Sequence, residues 1–196
     1  GATFKGDYKV ADHTCECCRI GLALGPQGRP VAFWRHVFAP NIRDHALAEL
    51  SPAGEVPPPI RASFDDWRID ACPHHGPSLA YAPDGTRHQV WFNGKEGDGG
   101  GVQYSATKAD GTAARPVPLG TAQAAHADIA VLGSQVAIVW KQFDGQSTAI
   151  LSRVSDDGGA TWRQGELART QGESDKPYLA AAPDKLALFW RTRGGG

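Results

Sequence analysis

Ser78-Leu79-Ala80-Tyr81-Ala82-Pro83-Asp84-Gly85-Thr86-Arg87-His88-Gln89-Val90-Trp91 is two short apolar runs on either side of a Pro-Asp-Gly turn. Proline presets φ at a turn position and glycine accepts a positive φ, so the stretch reads as a β-hairpin whose second strand closes on tryptophan. The pattern recurs. Residues 21–34, 129–140 and 178–190 repeat it, and Trp34, Trp91, Trp140 and Trp190 follow one another at intervals of 57, 49 and 50 residues.

Beyond each of the first three tryptophans comes a loop, then a third apolar strand at residues 45–50, 102–107 and 148–154, a turn, and a weaker fourth strand. Four strands per repeat of about 40 to 50 residues is the pattern of a β-propeller blade. The chain therefore reads as all-β, one propeller domain over residues 1–196. Its repeats lie at 20–64, 77–120, 127–170 and 177–196, about three and a half four-stranded antiparallel blades.

Composition agrees. Glycine (24) and proline (14) are the residues of tight turns, and patterns of helical period are scarce. The net charge is −1 and the pI about 6.7. The basic residues are scattered, so no footprint for nucleic acid or an anionic membrane surface is present. No apolar run approaches the length of a membrane span. Gly1 to Val10 has no leader pattern, which with the absence of methionine suggests a processed or partial chain.

Ser155-Asp156-Asp157-Gly158-Gly159-Ala160-Thr161-Trp162 is the sharpest motif. The side chains of Ser155 and Asp157 can bond the turn's own backbone, Gly159 supplies special angles, Thr161 closes the turn and Trp162 packs back on the blade. The motif S-x-D-x-G-x-T-W resembles the Asp box of sialidase-like, BNR-repeat β-propellers, with all five defining positions met; the turns near residues 51–54 and 108–111 are degenerate. The resemblance implies six blades, so the chain is expected to supply part of a larger ring, the alternative being a small ring closed by strands from Thr3 to Val10. It also implies that the loops before each inner strand share one face with the loops after the second strand. That face would carry His13, Cys15, Cys17, Cys18, Cys72, His74, His75, His126, Glu173 and Asp175, with Asp-box turns at the other end.

Three of the four cysteines lie in Asp12-His13-Thr14-Cys15-Glu16-Cys17-Cys18-Arg19, and the fourth in Ala71-Cys72-Pro73-His74-His75-Gly76-Pro77. The shift that lays Trp34 on Trp91 also lays Cys15 on Cys72, so the two loops occupy equivalent places in neighbouring blades and should meet. Two readings stay open. Cys15, Cys17, Cys18 and Cys72, with His13, His74 or His75, form a donor set suited to Cu(I) or Zn(II). Alternatively Cys15 or Cys17 pairs with Cys72 in a disulfide that staples two blades. Adjacent Cys17 and Cys18 pair poorly, leaving at least one thiol of special character. The Cys15/Cys18 spacing resembles a redox pair, but no helix N-terminus is in view to activate it.

A hydrolase reading of the resemblance asks for arginines to hold a carboxylate, a tyrosine nucleophile and an acid/base aspartate. Arg35, Arg43, Arg191 and Tyr178 are the available candidates, yet no aspartate can be assigned and the family's first-blade Arg-Ile-Pro is absent. Arg43 and Asp44 read more simply as an ion pair, and Tyr178 as the start of a buried strand. Trp67, outside the tryptophan register, reads as outer-strand packing or a sugar-stacking ring. Gly97 to Gly101 lacks the strand-then-helix setting of a phosphate loop.

The resemblance implies an exported protein, periplasmic or secreted; the cysteine count alone does not fix the compartment, and the cysteines add the reading of a binding module with a Cys/His site that holds a soft metal or is redox-active. A sialidase-type hydrolase completed by another segment, and a structural subunit of a larger envelope complex, are the alternatives. A glycan, a metal and a protein chain that completes the propeller are the expected partners.

Overall fold

The computed structural model describes residues 6–51, 53–55 and 57–193. Among them are fourteen strands, one 3-10 turn at Gly97–Gly99 and no α-helix. Three four-stranded antiparallel sheets follow one another along the chain. The first is β1 (Gly21–Leu24), β2 (Pro30–Arg35), β3 (His45–Glu49) and β4 (Ile60–Arg61); the second is β5 (Ser78–Tyr81), β6 (Arg87–Asn93), β7 (Gly101–Thr107) and β8 (Val117–Leu119). The third is β9 (Ala124–Leu132), β10 (Gln135–Phe143), β11 (Thr148–Ser155) and β12 (Arg163–Thr170). A two-stranded sheet, β13 (Tyr178–Ala181) and β14 (Leu186–Phe189), ends the array. These are propeller blades: β1 touches β5, β5 touches β9 and β9 touches β13, so the first strand of each blade lines a shared axis.

Strand alternation fixes the packing between blades. In β2, Val31 and Phe33 face blade 2, where they meet Leu79 and Trp91, whereas Ala32 and Trp34 face the other way. Trp140 of blade 3 joins Val90, Val102, Tyr104 and Leu119 of blade 2. Trp91 and Trp140 thus lean toward the blade before their own, and Trp34 leans in the same sense. Trp91 and Trp140 are wholly buried, and rings of that size dominate the apolar surface such an interface removes from water.

Two glycines are required by close approach. Gly120 has φ +69°, and a Cβ there would come 2.6 Å from the Trp140 Nε1. At Gly76 an added Cβ would lie 2.3 Å from the carbonyl oxygen of Arg19, so the two cysteine loops are pressed backbone to backbone.

The Asp-box turn is built from its own side chains. Ser155 Oγ accepts from Gly159 N (2.8 Å) and donates to Asp157 (2.7 Å); Asp157 accepts from Thr161 N (2.8 Å) and Thr161 Oγ1 (2.6 Å). Gly158 and Gly159 take φ of +68° and +93°. Trp162 Nε1 donates to Gly159 O at 2.9 Å, and its ring meets Tyr104 edge-on. Gly158 N donates to Ser134 O, which seats the turn beside the β9–β10 hairpin, at the end of the blade away from where β9 begins.

Four expectations need correction. Tyr178 opens a strand but is 45% exposed, because β13 has only β14 beside it on that blade. Asp44 pairs with Arg61, not with Arg43, whose Nε reaches Asn41 at 3.3 Å. Trp67 lies in no outer strand: it is buried in the loop after β4, under the Arg35 guanidinium (4.9 Å) and edge-on to Phe92. That burial also removes it from sugar stacking. Of the stretch from Thr3 to Val10, residues 3–5 lie outside the described residues, and residues 6–10 form no strand. The described blades do not close into a ring.

Candidate functional site: the cysteine face

The chain reaches the site by pairing with the end of β2. Thr14 bridges His36, Cys15 N donates to Arg35 O (3.0 Å), and Val37 N donates to His13 O (2.7 Å). Residues 15–18 then make a tight turn, closed by Cys18 N on Cys15 O at 3.3 Å. The turn brings Cys15 and Cys18 together with their sulfurs 2.6 Å apart. Cys17 projects the other way, to the loop of the next blade, where its sulfur lies at disulfide distance (2.09 Å) from that of Cys72. The Cα atoms of this pair are 6.5 Å apart, within the range a disulfide bridges. Cys15 Sγ stands 3.6 Å from Cys17 Sγ, so the four sulfurs form one chain of contacts. Burial is graded along it: Cys15 and Cys18 are buried, Cys17 is half-buried and Cys72 is exposed.

Behind the sulfurs is a buried cation. Arg35 is fully enclosed, donates to the carbonyls of Arg43 (2.7 Å), His75 (3.3 Å) and Phe92 (2.6 Å), and forms no ion pair among the described residues, Asp65 acting on it from further off. Its Nε has no partner among the described residues. Burial drives its pKa down while Cys18 and then Cys15, close by, drive it up. Burial pushes the Cys18 thiol up to about 11, with Cys15 adding to the rise and Arg35 opposing it. Enclosed as it is, Arg35 serves the loops and not a ligand at the surface.

Cys15, Cys17 and Cys72 have their sulfurs within 4.8 Å of one another, close enough to converge on a metal ion. While Cys17 is bonded to Cys72, however, only Cys15 of the three can become a thiolate, and soft-metal sites need several. No histidine nitrogen joins the group among the described residues. His13 and His74 are exposed, at φ +55° and +57°. His75 is stacked between Phe92 (4.0 Å) and His126 (4.4 Å). Burial lowers both His75 and His126 to about 4, so each is neutral near pH 7. The sulfurs as arranged therefore fit a disulfide and a neighbouring dithiol better than a metal.

The axial side of the face gathers cations, of which Arg19 and Arg191 stand beside Asp128 and Asp175. Arg19, which follows Cys18 and precedes β1, donates to Ala127 O at 2.7 Å and lies 5.7 Å from the Tyr178 ring centre, with Lys176 at 5.0 Å from the same ring. Lys141 donates to Ser174 O, and His126 feels Lys141, Arg19 and Lys176 together. Arg191 pairs with Asp175 at 2.7 Å. The hydrolase candidates Arg35, Arg43, Arg191 and Tyr178 thus have separate engagements. Arg19 and Lys176 do not emerge from sequence pattern alone; the one signal for Arg19 is that it heads an inner strand directly after the cysteine turn.

On its other side the cysteine turn borders an apolar pocket of about 430 Å³. Cys15 and Cys18 line it with Val10, Ile20, Leu22 and Trp34. It occupies the side of blade 1 toward which Trp34 leans.

No family model and no curated protein sequence matches the chain. Among solved structures, it is similar to a Hadza microbial sialidase, with a TM-score of 0.59, 18% identity, and cover of 91% of this chain and 42% of that one. It is also similar to the Bombyx mori GH32 β-fructofuranosidase BmSUC1, with a TM-score of 0.55, 13% identity, and cover of 90% and 41%. At that identity the likeness is one of fold, and the chain spans less than half the length of either protein.

Proposed function

We propose that this chain is a single domain forming part of a sialidase-like, Asp-box propeller of the periplasm or the secreted space. In this reading it works as a binding module, and its four cysteines make a thiol–disulfide site. The carrying observation is the Cys17–Cys72 contact at disulfide distance between two blades, with the Cys15/Cys18 pair against it. A stapling disulfide belongs to an oxidising compartment, which is what supports export. Thiol titration of the unfolded protein, isolated without reductant, tests the site together with metal analysis: two thiols per chain, one Cys17–Cys72 bond and no bound metal are expected. Four thiols with stoichiometric zinc or copper would replace this reading with a metal site.

Hydrolysis is the second reading, favoured by the gathering of Arg19, Lys141 and Lys176 about His126, with Arg19 and Lys176 also over the Tyr178 ring, which suits an acidic sugar. A fluorogenic sialoside separates the two. Turnover that disappears in Arg19→Ala supports an enzyme; binding of the sugar without turnover supports a module.

A further inference from the structure

Four sulfurs in an unbroken chain of contacts, bonded at the exposed end and unbonded at the buried end, are two redox couples within reach of each other. We infer that the buried Cys15/Cys18 dithiol and the Cys17–Cys72 disulfide exchange electrons within the chain, so that the bond between the two blades can migrate into the Cys15-to-Cys18 turn. The inference rests on the thiol–disulfide reading above and adds to it a second pairing of the same cysteines.

The steps balance without any outside oxidant. The Cys15 thiol gives its proton to water, and its sulfur attacks Cys17 Sγ, 3.6 Å away. A Cys15–Cys17 bond forms, the Cys17–Cys72 bond breaks, and Cys72, exposed, leaves as a thiolate that takes a proton from solvent. Cys18, 2.6 Å from Cys15, then gives up its own proton and attacks Cys15 Sγ. The Cys15–Cys18 bond forms and Cys17 leaves and is protonated. One dithiol has been oxidised, one disulfide reduced, and two protons have moved from the first to the second.

Three features point to this exchange and not to an inert staple. The Cys15–Cys18 separation is already well inside ordinary contact and approaches the roughly 2.0 Å of a bonded pair. The turn that holds it needs no rearrangement of β1 or β2, since its backbone is anchored at Cys15 N and Thr14. Finally, Arg35 is a buried positive charge held by carbonyls, in no ion pair among the described residues and with Asp65 acting on it only from further off, and it is placed against the same two sulfurs. A thiolate passing through this turn has a counter-charge beside it, which opposes, without cancelling, the upward push of burial on the Cys18 thiol. The consequence for the fold is an exposed thiol at Cys72 and an unstapled boundary between blades 1 and 2.

Tryptic mapping reads the exchange directly, because cleavage after Lys9, Arg19, Arg68 and Arg87 puts Cys15, Cys17 and Cys18 on peptide 10–19 and Cys72 on peptide 69–87. Folded protein is held at mildly alkaline pH without oxidant or reductant, then acid-quenched and alkylated at intervals. At the start the two peptides are expected as a cross-linked pair carrying two alkyl groups. With time a separate peptide 10–19 appears, two hydrogens lighter and alkylated once at Cys17, with peptide 69–87 alkylated at Cys72, while the total of two thiols stays constant. Cys18→Ser, in which the last step has no attacking sulfur, yields no such peptide. If the cross-linked pair, alkylated at Cys15 and Cys18, is the sole form at every time, the exchange is overturned and the thiol–disulfide reading stands. If four thiols are alkylated from the outset, both fall.

Discussion

Asp157 is exposed, yet three hydrogen bonds hold its carboxylate in place, and its pKa is depressed from the usual 3.8 to about 2, the bonds from Thr161 being the largest cause. The folded chain holds this proton less tightly than the unfolded chain does. The stabilisation is therefore complete above about pH 4 and is lost as the pH falls through 2. Asp157→Asn should lower the urea midpoint at neutral pH and leave it nearly unchanged at pH about 2; equal losses at both pH values would assign the effect to shape alone. The turn itself was legible in the sequence because all its partners lie within eight residues. The Arg61–Asp44 pair was not, since it joins β4 to the start of β3, and sequence proximity pointed to Arg43 instead. Gly76 shows the same limit. Nothing in Cys-Pro-His-His-Gly-Pro says that the Arg19 backbone lies 2.3 Å from the missing Cβ. Gly76→Ala is expected to cost about 1–3 kcal/mol and, by spreading the two cysteine loops, to make the Cys17–Cys72 bond easier to reduce. A dithiothreitol titration of the variant beside the parent checks the second effect.

The strands and hairpins follow the tryptophan register closely, because a period-two pattern between turn residues depends on local contacts alone. β4 is only two residues long, and its weakness is readable in the proline-rich stretch after residue 55. Trp67 was misplaced for another reason: its partners, Arg35 and Phe92, come from β2 and β6, so no local pattern reports its burial. Trp140 is where element and core meet. It is fully enclosed between blades 2 and 3, and Trp140→Ala should destabilise the chain by about 3–5 kcal/mol, read as a lowered denaturant midpoint with the slope unchanged. The same change at Trp190, half-buried against Asp175 O, should cost far less.

At the scale of the molecule, five histidines are held below their usual pKa of 6.5 by burial: His75 and His126 at about 4, with His36, His45 and His88 also lowered. The unfolded chain takes up protons here before the folded chain does. Stability should therefore be full above about pH 6.5 and decline as the pH falls toward 4, a window higher than that of Asp157. Urea midpoints at pH 7 and pH 5 test it, and His75→Phe, which keeps a ring against Phe92, should flatten the slope. The blade-to-blade staple adds a term of another kind. It spans 55 residues of chain, and closing a loop of that size restrains the unfolded ensemble by about 4 kcal/mol. Cys72→Ser should lose much of this, seen as a lower melting temperature that reductant does not lower further. That the two cysteine loops meet was readable from their equivalent places in the repeat. Which sulfurs pair was not, because the choice rests on the turn that sends Cys17 outward and Cys15 and Cys18 inward.

Because Trp34, Trp91 and Trp140 all lean the same way, the array has a head and a tail that are unlike. The head is the slot beside Trp34 and the tail is the thin β13–β14 pair. Repeating the contact between blades sets the leading side of one blade against the trailing side of the blade before it, a head-to-tail arrangement. The Trp34 slot thus corresponds to the sides of blades 2 and 3 that carry Trp91 and Trp140, each of which is covered by the opposite side of the preceding blade.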